Sequence, residues 1–248
     1  MTNQDMQHMP VAYITGADRG LGLGLATVFL AGGYRVFAGC FGLDEEGLKA
    51  LGQRYGDALT VVPLDVRSET SVRAAADRIA EMTGHLDLVI NNAAILLDQN
   101  ATILDDLDYE AMMAMYNVNT LGPLRVSASV LGLLRNGEGK RIVNISSEAG
   151  SMAARLRRGQ TTRYGYCGSK SALNVQSIIL GNHVAEFGIR VLLIEPGWVR
   201  SYLSGGVKYM KADLEPEESA MKLYEFLHRE EAPDHMFHDL VKDQSFDW

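Results

Sequence analysis

The sequence predicts an α/β fold, a doubly wound and mostly parallel sheet with helices on both faces, built as a single domain over residues 1–248. Three observations predict it. Short apolar runs alternate with helical patterns along most of the chain, which implies parallel crossovers. The first run leads into a glycine-rich turn that opens a helix. No Pro/Gly/Ser-rich linker, internal repeat or charge block divides the 248 residues, and a chain of that length buries a sizeable core.

Residues 1–10 are a polar tail without the basic and apolar halves of a secretory signal. Residues 11–14 (VAYI) read as the first strand, after which Gly16, Gly20 and Gly22 in TGADRGLG turn the chain into a helix. Glycines there let the backbone approach a ligand, and the helix start presents unpaired N–H groups and a positive dipole end to a pyrophosphate. Asp18, Arg19 and Leu21 belong to the same turn. Residues 34–40 are the second strand, ending at Cys40, and 44–55 have helical character. Residues 59–66 are the third strand, closing on Asp65-Val66, and 68–82 a helix with Ser68 as its cap. Residues 86–90 run as the fourth strand into Asn91-Asn92-Ala93-Ala94. In such a sheet ligands bind at the carboxyl ends of the strands, where Gly16, Cys40, Asp65 and Asn91 converge.

Residues 109–134 read as one long helix that contains Asn117 and Asn119, and 141–145 as a fifth strand that delivers Ser146-Ser147. The residues between Ser147 and Tyr166, with the basic run Arg155-Leu156-Arg157-Arg158, read as a loop over the site mouth, either solvated or facing an acidic substrate group. Residues 166–187 are a helix and 189–194 a sixth strand, followed by Pro196-Gly197. Residues 201–214, with Gly205-Gly206, are short enough to act as a substrate lid. Pro216 opens a further helix, and 236–248 packs on the sheet edge.

The net charge of -8 argues against a nucleic-acid binder, because a phosphate backbone selects for surplus Lys and Arg. A small molecule is therefore the expected partner. No apolar run approaches the ~20 residues that span a bilayer, so no membrane partner and a cytoplasmic location are expected. Cys40 and Cys167 have neither metal-site nor disulfide spacing, and no metal site is expected.

The chemistry centres on Tyr166 and Lys170, one helical turn apart on one face. A free tyrosine, with a pKa of about 10, is a poor proton donor and acceptor near neutrality, and an ammonium nearby favours its phenolate. Lys170 is placed to supply that charge.

TGADRGLG, LDV, NNAA, Asn119 with Gly122, Ser147 and YCGSK, in that order and near that spacing, resemble the short-chain dehydrogenase/reductase family, whose fold is of the Rossmann type. The resemblance implies an NAD(P)(H)-dependent oxidoreductase that interconverts a carbonyl and a secondary alcohol. Tyr166 is its general acid/base, Ser147 (with Ser146 as the alternative) hydrogen-bonds the substrate oxygen, Lys170 tunes Tyr166 and binds the nicotinamide ribose, and Asn119 holds a proton-relaying water. Asp65 contacts the adenine, with Val66 beside it, and Asn91, Asn92 and Ala93 shape the adjoining pocket. The backbone of Pro196, Gly197, Val199 and Ser201 holds the carboxamide. Ala94 replaces the usual glycine of NNAG. Arg19, where NADP-using relatives carry a basic residue, favours NADP(H), with NAD(H) as the alternative. The interval from Ser147 to Tyr166, PGWVRS and LEPEES loosely resemble the C-factor-like and carbonyl-reductase-like branch, and the family admits a homodimer or homotetramer. A catalytically silent dinucleotide sensor on the same fold is the competing reading.

Overall fold

The computed structural model describes residues 9–42, 46–204, 208–230 and 236–248. The expectations for residues 1–8, for Asp44 and for Gly205-Gly206 lie outside the described residues. Among the described residues, eight strands form one sheet in the order β3-β2-β1-β4-β5-β6-β7-β8. They are β1 (Val11–Thr15), β2 (Arg35–Cys40), β3 (Leu59–Pro63), β4 (Leu88–Asn91), β5 (Arg141–Ile145), β6 (Arg190–Glu195), β7 (Phe237–Asp239) and β8 (Gln244–Ser245). All neighbours run parallel except β7 with β8. The expected edge-packing segment is thus a further parallel strand and a short antiparallel one.

The register explains why the strand ends meet. Ile14 lies opposite Ile90, Ile90 opposite Val143, and Val143 opposite Leu192. Thr15, Asn91, Ile145 and Glu195 therefore leave the sheet at nearly one level. Successive strand side chains alternate between two buried layers. Ile14, Val36, Val143 and Ile194 pack with Leu25, Phe29, Leu223 and Phe226 on one face. Tyr13, Phe37, Val89 and Ile142 pack with Ile79, Val126 and Val191 on the other.

The first face is covered by α1 (Gly20–Ala31), α2 (Glu46–Tyr55) and α9 (Pro216–Leu227), and the second by α3 (Glu69–Met82), α5 (Gly122–Ser129), α6 (Leu131–Asn136) and α8 (Tyr164–Val184). Close approach fixes α1 against α9: a Cβ on Gly24 would stand 2.9 Å from the Pro216 backbone. Glu215 and Glu218 form a capping box at the start of α9, and Ser68 caps α3 by accepting from Ser71 N–H at 3.2 Å.

Two expected elements differ. The long helix is broken into α4 (Tyr109–Tyr116), a π-helical turn (Asn117–Leu121), α5 and α6. Gly122 follows the π turn where the chain presses on Val66, with a would-be Cβ 3.0 Å from its side chain, and Pro123 opens α5. The segment expected as a loop contains α7 (Met152–Arg158), because Ser151 accepts a hydrogen bond from Ala154 N–H at 3.0 Å and Gly159, at φ 57, ends it.

Asp87, just before β4, ties three chain segments. Its buried carboxylate accepts from Val11 N–H at 2.8 Å, Glu138 N–H at 2.7 Å and Gly139 N–H at 3.1 Å. Asp87→Ala leaves those donors without a partner in a place water enters poorly. Urea unfolding should report a loss of about 3 kcal/mol, and an unchanged midpoint would show the clamp to be dispensable.

Candidate active site

The carboxyl edge of the sheet opens into a cavity of about 860 Å³. Its first wall is the glycine turn. Gly16 and Gly20 sit at φ 63 and 54, conformations that favour glycine. A Cβ on Gly22 would fall 1.9 Å from the Gly16 carbonyl oxygen, so no larger residue fits there. Asn92 holds this turn from behind: its Nδ2 donates to the Thr15 and Gly16 carbonyls at 3.0 and 3.1 Å. Thr15 Oγ1 accepts from the Asn92 and Ala93 N–H groups at 3.0 and 3.1 Å. Asn91, by contrast, points across the sheet to Asn144 Oδ1 at 2.8 Å and does not line the cavity. Ala94 stays out of the left-handed region, so its methyl group adds no backbone strain there.

Helix α1 begins at Arg19 without a side-chain cap, which leaves its first N–H groups facing the cavity beside Gly20, Leu21 and Gly22. A Cβ on Gly20 would project to 3.5 Å from Ser201, across the cleft between the two turns. An uncapped helix start, a glycine cradle and the open cleft together fit a pyrophosphate-bearing dinucleotide. Asp18 is buried beside Arg19, 3.9 Å away, and the Arg19 guanidinium lies 5.0 Å from the Tyr202 ring centroid.

At the far end of the cradle, Asp65 and Val66 line the cavity. Asp65 is already engaged: Arg67 forks onto its carboxylate, Nε to Oδ1 and Nη2 to Oδ2, each at 2.9 Å, and this hydrogen bonding holds Asp65 below its ordinary value. The same guanidinium lies 5.0 Å from the Phe41 ring centroid. Phe41 and Arg67 therefore form a wall here that sequence reading missed, although Phe41 is half exposed and directly follows the second strand. Cys40 does not reach the cavity. It is buried in the core, where its Sγ accepts from Gly42 N–H at 3.3 Å.

The other end holds the titratable groups. Tyr166, Lys170 and Ser147 line the cavity together. Ser147 hydrogen-bonds the Tyr166 phenol, and its Oγ also accepts from Ala149 N–H at 3.1 Å. Ser146 donates to Asn174 Oδ1 at 2.6 Å and is buried, which ties it to α8. Lys170 Nζ donates to the Ile145 carbonyl at 2.7 Å and lies 6.0 Å from the Tyr166 ring centroid. Burial pushes Lys170 down to about 8, and the Glu195 carboxylate opposes that shift. Burial likewise raises Tyr166 well above an ordinary tyrosine, with Glu195 adding to the rise and the Ser147 hydrogen bond opposing it. Desolvation dominates, the expected lowering by Lys170 is not among the influences on Tyr166, and the phenol stays protonated.

Glu195 is a further residue that sequence reading missed. Its carboxylate accepts from the N–H of Glu148, next to Ser147, and from Gly197 N–H at 3.1 Å. It thereby joins the serine turn to the Pro196-Gly197 turn, and burial pushes it up to about 7. Val199 is buried, bridges to Leu214 and, like Ser201, lines the cavity.

Asn119 lies behind this wall and does not line the cavity. Its Oδ1 accepts from Ile95 N–H at 2.8 Å, and its Nδ2 donates to the Ile95 carbonyl at 2.9 Å and to Ser169 Oγ at 3.0 Å. These bonds lock the π turn to α8, a placement common for π turns at functional sites. Asp98, also missed, caps α8 by accepting from Gly165 N–H at 2.6 Å. Among the described residues no His, Cys, Asp and Glu side chains cluster as a metal site, and neither Cys40 nor Cys167 is in a disulfide.

A family model described as short chain dehydrogenase matches residues 10–225. Human 17-beta-hydroxysteroid dehydrogenase type 6 is 35% identical over 226 residues, which cover 90% of this chain and 64% of that protein. Human retinol dehydrogenase 16 is 36% identical over 82% of this chain and 61% of its own length. The chain thus spans less than two thirds of these relatives. Among solved structures, the NADPH-bound carbonyl reductase from chicken fatty liver superposes with a TM-score of 0.84 at 29% identity, over 97% of this chain and 99% of that one. A Pseudomonas aeruginosa carbonyl reductase in complex with NADP gives 0.76 at 31% identity, over 97% and 100%. With its glycine turn, doubly wound sheet and tyrosine-lysine helix, the chain belongs to the short-chain dehydrogenase family.

Proposed function

We propose that the protein is a nicotinamide-dinucleotide-dependent oxidoreductase that interconverts a carbonyl and a secondary alcohol. The observation that carries this reading is the convergence of Ser147, Tyr166 and Lys170 at one end of a cavity whose other end is a glycine cradle. The names of its relatives, dehydrogenases and carbonyl reductases, and the NADPH and NADP bound in two structural neighbours support it. A bound nicotinamide supplies or accepts the hydride.

The chain's own groups do the rest. Ser147 and Tyr166 present hydroxyls to one oxygen atom, so a carbonyl placed there is oriented by two donors. As negative charge grows on that oxygen, Tyr166 hands over its proton. The raised pKa keeps the phenol loaded for this step across the physiological range. Lys170, charged below about pH 8, compensates the phenolate left behind. The Asn119 side chain, spent on Ile95 and Ser169, fixes the π turn beside Lys170, and a water held at that turn would return the proton.

Arg19 supports NADP(H) as the preferred cofactor. It stands at the mouth of the glycine cradle as a cation beside Asp18, with Tyr202 as its platform. A guanidinium there suits a phosphate ester on the ribose better than a bare hydroxyl.

Four outcomes follow from these roles. Tyr166→Phe should lower kcat by about 10²–10⁴-fold with NADPH affinity nearly unchanged, and full activity in that variant would overturn the assignment. In wild type, kcat/KM for carbonyl reduction should fall as pH rises through about 8, because Lys170 loses its charge there. Glu195→Gln removes the carboxylate that supports the ammonium and should move this limb to lower pH; a limb that stays put takes Glu195 out of the electrostatics. Arg19→Ala should weaken NADPH by about tenfold and NADH little, and equal losses would refute the phosphate contact.

A further inference from the structure

The substrate end of the cavity carries more positive charge than its own carboxylates offset. Arg155 and Arg158 both line it, and both turn to one acid. Arg155 Nη2 lies 3.0 Å and Arg158 Nε 2.5 Å from Glu148 Oε1. Two guanidiniums on one carboxylate leave a surplus cation. Arg155 also donates to Gln160 Oε1 at 3.0 Å, and its Nε is buried without a hydrogen-bond partner. Arg157 is turned away, toward Asp247 at 2.9 Å.

Arg163 adds a second charge. It lines the cavity, is exposed, and makes no hydrogen bond or ion pair with its side chain among the described residues. Its backbone is nevertheless held in place. The residue sits at φ 65, and its carbonyl accepts from Cys167 N–H at 2.9 Å to start α8. A non-glycine residue held in the left-handed region is strained, and such strain concentrates at ligand sites. Arg163 stands just ahead of α8, three positions before Tyr166. The guanidinium lies within electrostatic reach of the phenol, which it draws toward the phenolate.

Three other acids line this end: Asp213, beside Trp198, and two that are answered locally. Asp239 pairs with Lys242 at 3.1 Å, and the Glu195 carboxylate faces the N–H groups of Glu148 and Gly197. Around them the walls are apolar, from Leu96, Leu203, Trp198, Tyr209 and Phe246.

From this arrangement we infer that the substrate is a keto acid: an apolar carbonyl compound whose carboxylate is bound by Arg163, with Arg155 behind it, while its carbonyl faces Tyr166. The inference rests on Tyr166 being the carbonyl-facing acid. A guanidinium offers a planar fork that matches a carboxylate, and such charge-assisted bonds are roughly twice as strong as neutral ones.

The test is calorimetric titration of the NADPH-bound protein with 4-acetylbenzoate and with its methyl ester, which differ only in the charge. Wild type should bind the acid about tenfold or more tightly than the ester. Arg163→Ala should bring the acid down to the level of the ester. Arg163→Asn, which tolerates the left-handed backbone better, should do the same while melting at the wild-type temperature. Equal binding of acid and ester by wild type, binding of neither, or an acid preference that survives both substitutions overturns the inference. Product analysis separates this from the reading it rests on. An Arg163-dependent acid preference without alcohol formation leaves the carboxylate site standing and sinks carbonyl reduction at Tyr166. Reduction of the ester without an acid preference does the reverse.

Discussion

The contact on which the rest of the site depends is the hydrogen bond from buried Lys170 to the Ile145 carbonyl. An ammonium taken out of water loses much of its solvation, and burial alone drives its pKa down. It stays in place because the surroundings leave it nowhere else to go. The end of β5 offers the carbonyl, Glu195 at the end of β6 offers a charge, and α8 is fixed from three sides. Asp98 caps its first turn, Thr120 Oγ1 donates to the Ser169 carbonyl at 2.8 Å, and Asn119 donates to Ser169 Oγ. The parallel register then puts the Ser147 turn and the Pro196-Gly197 turn beside it.

That geometry changes how the tyrosine-lysine pair works. A simple pairing argument has the lysine pull the tyrosine toward its phenolate. In the folded chain both groups are buried, and burial acts on each in the direction of neutrality: the phenol rises and the ammonium falls. A neutral phenol is a proton donor, the form that the proposed carbonyl reduction would use. Glu195, itself raised to about 7, is the third titrating member of the group.

The order of strands and helices was legible because it rests on local signals: apolar runs of strand length, a glycine turn, a serine cap before 69–82, and Pro216 before the last helix. Tyr166 and Lys170 stood out as a pair one helical turn apart, whereas their role and that of Ser147 came from the resemblance to the family's motifs. What escaped depends on partners distant in sequence. Asp87 reaches Val11 across 76 positions and Asp98 reaches Gly165 across 67, and neither has a local pattern that announces a carboxylate clamp. The π turn escaped because its cause is the docking of Asn119 on Ile95 and Ser169, while the local helical pattern runs on. Helix α7 did have a local signal, Ser151 as cap and Gly159 as stop, which the run of arginines obscured. Cys40 was placed at the ligand by strand position alone, and its side chain faces the core instead.

The segment that follows β6 is attached to the site at several points. Leu203 accepts from Leu96 N–H at 2.9 Å, Ser201 accepts from Tyr209 N–H at 2.9 Å, and Tyr202 carries Arg19. A contact at the glycine cradle is therefore physically continuous with the cover of the substrate end. The central claim is that one cavity joins a nicotinamide dinucleotide to a carbonyl held at Tyr166. Its most direct test is incubation with NADPH deuterated at C4 of the nicotinamide and a panel of aldehydes and ketones, followed by mass analysis of the products. The account predicts an alcohol carrying one deuterium on its carbinol carbon. Cofactor that binds yet keeps its deuterium with every carbonyl would contradict it.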